Sequence, residues 1–144
     1  MNAPQETVVS EMENGQFTQK ITIGNHELIA DEPIINGGKD TGPSPYDFLL
    51  AALGTCTSMT IRMYAKLKKI PLKNIIVRLK HEKIHVDDCA ECENNGSKID
   101  YIERLIELEG ALTEEQRAQL LTIANKCPVH RTLMSKITIT TKLV

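Results

Sequence analysis

Tryptophan is absent from this 144-residue chain, and two phenylalanines and three tyrosines make up its aromatic complement. So few rings leave little surface for stacking on bases. With 17 basic against 19 acidic side chains the net charge is -2, which supplies no basic stripe, so nucleic-acid binding is disfavoured. No run approaches the roughly 18 consecutive apolar residues of a membrane span. The opening MNAPQETVVSEMENG lacks the basic and apolar regions of a secretory signal, so a soluble, cytoplasmic protein with no membrane partner is expected. Arginine is missing from the whole N-terminal part, the first being Arg62. Repeats, low-complexity tracts and linkers are also lacking. The length suits one hydrophobic core, so a single domain over residues 1–144 is expected.

What the chain does contain is punctuated clearly. Thr7 to Glu13, Phe17 to Ile23 and His26 to Ala30 read as strands separated by Asn14-Gly15 and Gly24-Asn25, a β-meander. A Gly-rich loop over residues 36–43 precedes a long helix, announced by Ser44 as N-cap, Pro45 at its first position and Asp47 closing an S-x-x-D box. Leu49, Leu53, Cys56, Thr60, Met63 and Leu67 then recur at helical spacing, which predicts a buried stripe with Cys56 in its middle. Pro71 stops this helix. Lys73 to Val86 and Ile99 to Leu108 read as an antiparallel pair, with Ile75, Val77 and Leu79 sharing one face. Thr113 and Gln116 form a second capping box, followed by Leu120, Leu121, Ala124 and Cys127 as a stripe up to Pro128. Lys136 to Val144 alternates as a strand does. The expected order is βββ-α-ββ-α-β, an α+β fold with a thiol on the apolar side of each helix.

Four cysteines in a reducing compartment point to metal binding or redox chemistry more than to structural disulfides, with buried inert thiols as the plain alternative. Cys89 and Cys92 form a C-x-x-C pair inside DDCAECE. Asp87, Asp88, Glu91 and Glu93 would oppose a thiolate there, and the helix N-terminus that acidifies such dithiols is not evident. The pair could instead bind a metal with His85 and a carboxylate. His81 could not join His85, because four residues of strand separate them by about 13 Å at roughly 3.3 Å per residue. A solvated acidic hairpin tip, or an acidic docking tip for a partner, explains the same residues.

The other pair, Cys56 and Cys127, lies 71 positions apart. Apolar burial alone leaves a thiol inert, so reactivity requires a cation or donor beside it, for which Arg62, His130 and Arg131 are candidates. Given such a neighbour, two facing thiols can attack an O–O bond, pass through a sulfenic acid and close a disulfide. On periodicity alone, two core cysteines remain the plainer reading.

The segments GPSPYDFLLAALGTCTSMTIRMYAKLKKIPL (residues 42–72) and KCPVHRTL (residues 126–133) closely resemble the OsmC/Ohr family of osmotically inducible and organic hydroperoxide resistance proteins, in the order and spacing of both cysteine motifs. The resemblance implies an OsmC-like fold, antiparallel sheets packed on two helices, in an intertwined homodimer. It implies thiol-dependent reduction of organic hydroperoxides to alcohols with no metal or organic cofactor. Cys56 matches the peroxidatic position and Cys127 the resolving one, with an external dithiol as reductant. The chain departs from the hydroperoxide-resistance branch at Tyr46, where that branch has a glutamate, and in lacking an N-terminal arginine. It is more similar to the OsmC-like branch, and Asp47 reads as a helix cap. The competing expectation is a non-enzymatic binding protein of the same fold that holds zinc through Cys89 and Cys92.

Overall fold

The structure, a computed structural model, describes residues 3–85 and 97–144. Packing divides the chain into two compact units, residues 1–49 and 50–144.

In the first unit β1 (Thr7–Glu11), β2 (Gln19–Ile23) and β3 (His26–Ala30) form the expected antiparallel meander. Ile23 pairs with His26 across a two-residue turn, and Gly24 at its first central position takes φ +57°, as a hairpin turn matched to strand twist requires. β1 and β2 are shorter than the sequence predicts. Met12, Glu13, Phe17 and Thr18 stay outside the strands, and the Thr18 side chain turns inward to Asp31 instead.

Asp31, just past β3, is buried and organises the loop that follows. Its carboxylate accepts from the Glu32 N–H at 2.8 Å, the Lys39 N–H at 3.3 Å, the Thr41 N–H at 3.2 Å and the Thr41 hydroxyl at 2.6 Å. The Thr41 hydroxyl bond is the strongest influence on this carboxyl, and with the three backbone N–H bonds it outweighs burial, lowering the pKa to about 2.

Helix α1 (Pro45–Leu67) starts as its capping box predicts. The Ser44 N–H and hydroxyl both donate to Asp47 Oδ2, at 2.9 and 2.8 Å. It ends in a Schellman motif: Lys69 adopts φ +54°, and the Ile70 N–H reaches back to the Ala65 carbonyl at 2.9 Å. The buried row is Leu53, Gly54, Thr57, Ile61 and Ala65, rotated by about one position from the expected stripe. Met63 and Leu67 are exposed, and Cys56 lies on the shoulder of the row, half-buried.

β4 (Leu72–His85) and β5 (Lys98–Gly110) pair antiparallel, from Leu72 opposite Gly110 to His85 opposite Lys98. Gly54 lets α1 approach this ribbon, since a Cβ there would stand 2.8 Å from Leu79 Cδ1. α2 (Glu114–Ala124) carries the complete Thr113/Gln116 capping box. α3 (Pro128–Leu133), a short helix that includes His130 and Arg131, follows the interruption expected at Pro128. Ile61, Ala65, Ile70, Leu72, Leu120 and Ala124 form the core, with Ile75, Ile106 and Leu108 packed on it from the ribbon. Leu121, expected in the stripe, is exposed.

The expected last strand is not formed. Residues 136–144 have no regular structure, no strand among the described residues pairs with them, and Ile137, Ile139 and Leu143 are exposed. Alternation creates a face suited to a sheet, but a strand needs a partner edge for its backbone groups.

Candidate active site

Cys127 owes its position to a break between two helices. α2 ends at Ala124, Asn125 caps it, and the Cys127 N–H still reaches the Ala124 carbonyl at 3.3 Å. Pro128 then sets the first position of α3, which makes Cys127 the N-cap of that helix. Its sulfur serves as the capping acceptor, taking the His130 N–H at 3.3 Å. The residue has no exposed surface.

Cys56 and Thr57 come to the same place from α1. Thr57 is also fully buried, and its Oγ1 lies 3.8 Å from Cys127 Sγ. Cys56, the residue before Thr57 on α1, is near enough to favour the ionised form of Cys127, and it keeps part of its surface in solvent. The two free cysteines, 71 positions apart, are thus neighbours, one partly accessible and one enclosed.

The cation at this site is Arg104 of β5, which the sequence reading did not single out. Its Nη1 donates to Thr57 Oγ1 at 3.0 Å and to the Ala124 carbonyl at 3.5 Å, while Nη2 donates to Asn125 Oδ1 at 2.8 Å. One guanidinium thus joins β5, α1 and the α2–α3 junction. Burial pushes the Cys127 thiol up, but the His130 N–H, Thr57, Cys56 and the Arg104 charge together outweigh it, so the net shift is downward. His130 is lowered by burial first and by Arg104 second, which favours a neutral imidazole.

The candidates named from sequence divide accordingly. His130 contributes through its backbone N–H and not through positive charge. Arg62 is committed elsewhere, donating to the Leu72 and Lys73 carbonyls at 2.6 and 3.1 Å and tying α1 to β4. Arg131 is exposed on α3. Asp47 is engaged as the cap of α1, and Tyr46 is exposed. His81 pairs with Asp100 at 2.8 Å, and His85 is exposed at the end of β4. Cys89 and Cys92 lie outside the described residues. Among the described residues no group of three His, Cys, Asp or Glu side chains could hold a metal ion.

One signal for Arg104 was present in the sequence. Along β5 the inward positions are Ile102, Arg104, Ile106 and Leu108, so strand parity puts this arginine on an otherwise apolar face. Chemically, the arrangement can hold a thiolate, because a backbone N–H, a hydroxyl and a guanidinium charge stand around one sulfur.

The sequence matches the profile of a family described as OsmC-like protein over residues 37–142. No curated protein matches it. Among solved structures it is similar to the OsmC-like protein from Mycoplasma pneumoniae, at 17% identity and TM-score 0.72, over 93% of this chain and 89% of that one. An organic hydroperoxide resistance protein from Legionella pneumophila gives 17% identity and TM-score 0.64, over 92% and 91%. The organic hydroperoxide resistance protein OhrB of Bacillus subtilis gives 15% and 0.60, over 90% of each chain. At these identities the structural likeness concerns the fold.

Proposed function

Because the chain belongs to the family of OsmC-like proteins, we propose that it is a thiol-dependent peroxidase that reduces organic hydroperoxides to alcohols. The observation that supports the reading is the nearness of Cys56, partly accessible, to the enclosed thiol of Cys127. Cys56, reachable from solvent, attacks the terminal O–O bond as a thiolate. Its sulfur gains the hydroxyl, and the alkoxide leaves and is protonated to the alcohol. Cys127 then displaces that hydroxyl to give the Cys56–Cys127 disulfide, and an external dithiol restores both thiols by exchange. The choice of an organic over an inorganic peroxide follows the organic hydroperoxide resistance proteins that share this fold.

A homodimer belongs to the same proposal. Two features support it: the exposed ridge of Met59, Met63 and Leu67 at successive helical turns of α1, and the apolar residues of the unpaired C-terminal segment. No helix among the described residues is long and apolar enough to cross a membrane.

The test is turnover of cumene hydroperoxide and of hydrogen peroxide with a dithiol reductant. The native chain is expected to consume the organic peroxide faster, and Cys56→Ser to abolish turnover. Equal rates in the native and Cys56→Ser proteins would refute the assignment.

A further inference from the structure

The three acceptors of Arg104 are all neutral: a hydroxyl, an amide oxygen and a backbone carbonyl. Among the described residues no carboxylate pairs with it. A guanidinium cannot shed its proton, so among the described residues a thiolate at this site is the counter-charge nearest to hand.

Proton counting on Thr57 gives this charge a specific use. A hydroxyl has one proton and two acceptor sites. At 2.6 Å the Leu53 carbonyl takes the proton, and Arg104 Nη1 fills one acceptor site. The site left over faces Cys127 Sγ, so in this arrangement Thr57 accepts a hydrogen bond from the thiol. If Cys127 loses its proton, the same hydroxyl can rotate from Leu53 to the sulfur while Arg104 keeps hold of the oxygen. Leu53 still has its helical N–H partner. The thiolate then receives two donors, the His130 N–H and the Thr57 hydroxyl.

We propose that Thr57 and Arg104 are positioning residues for disulfide closure: Arg104 anchors the Thr57 oxygen, and the Thr57 hydroxyl reverses its hydrogen-bond direction as Cys127 passes from thiol to thiolate. This rests on the peroxidase reading above. In the step served, the Cys127 thiolate attacks the sulfur of the Cys56 sulfenic acid. The S–S bond forms and the S–O bond breaks, hydroxide leaves, and the proton released by Cys127 converts it to water. The Cys127 sulfur is oxidised and the Cys56 sulfur reduced, so no outside oxidant or reductant enters. The ionisable groups around Cys127 are Cys56 from α1, Arg104 from β5 and His130 from α3.

Two readouts test this. The first is a pH titration of thiolate absorbance with Cys127 as the sole thiol, the other three cysteines being serine. The second is single-turnover disulfide formation after one equivalent of cumene hydroperoxide, in proteins that retain Cys56 and Cys127. Thr57→Val keeps the shape of the side chain and removes the hydroxyl. It is expected to raise the titration midpoint by about one unit and to slow disulfide closure about tenfold below that midpoint. Thr57→Ser should restore both, and Arg104→Lys, which keeps the charge but loses the fork, should restore neither fully. An unmoved midpoint in Thr57→Val overturns the proposal, as does a raised midpoint with closure at the native rate. A native protein that consumes no hydroperoxide overturns the peroxidase reading instead, and is recognised before any variant is compared.

Discussion

Replacing Gly54 by alanine sets two opposed quantities against each other on the helix that carries Cys56. Glycine in a helix interior costs about 1 kcal/mol relative to alanine, so the substitution should stabilise α1 by that amount if nothing stood in the way. Leu79 Cδ1 stands in the way, 2.8 Å from where the new Cβ would be. It is the far end of a flexible side chain, and turning it about 30° off its rotamer costs about 0.5–1.5 kcal/mol. The two effects nearly cancel, and Gly54→Ala alone should change stability by less than about 1 kcal/mol. With Leu79→Ala already present the obstruction is gone, and the same substitution should now stabilise by about 1 kcal/mol. Urea denaturation of the two single variants, the double variant and the native chain measures the difference. A coupling of about 0.5–1.5 kcal/mol is expected, well above the few tenths by which unrelated sites fail to add. Additive effects would mean that Gly54 does not hold α1 against β4 through Leu79. The distance from Cys56 to the ribbon would then have another cause.

Two further expectations concern stability. Asp31 has a pKa of about 2 in the folded chain against about 3.9 unfolded, so its contribution is fully present above about pH 4 and is lost as pH falls toward 2. Acid unfolding followed by circular dichroism should therefore lose part of its dependence between pH 4 and 2 in Asp31→Asn, and an unchanged profile would refute the role of the carboxylate. Leu120 is fully buried in the core beside Ala124, and Leu120→Ala should cost about 2–5 kcal/mol. A loss below 1 kcal/mol by denaturant titration would contradict the packing described.

Legibility from sequence followed locality. Ser44 with Asp47 and Thr113 with Gln116 each act within one helical turn, so four residues suffice to read them, and both boxes form. The β4–β5 pairing follows from two strand-like runs on either side of one connection. The burial of α1 is less legible, because Leu49, Met63 and Leu67 are as apolar as the residues that face the core. Side-chain spacing alone does not say which of two overlapping stripes meets the ribbon. The C-terminal alternation identifies a chain able to pair, while pairing itself depends on an edge that the sequence does not name. At the site, the cysteine pair emerges from motif order and from the resemblance. Arg104 hides among Glu103, Glu107 and Glu109, and only its parity with Ile102 and Ile106 distinguishes it from a solvated charge. Asp31 gave no comparable sign, since its four partners converge through a loop whose path is not periodic.

If Cys127 enters the proposed disulfide, the use of its sulfur as a helix cap would tie oxidation to backbone order. While Cys127 is reduced, its sulfur can carry the negative charge that a capping N–H favours. In a disulfide that sulfur is a neutral, weak acceptor, and the first turn of α3 loses part of its anchor. Hydrogen exchange at the His130 amide should therefore quicken on oxidation, and one backbone proton would report the redox state of the pair.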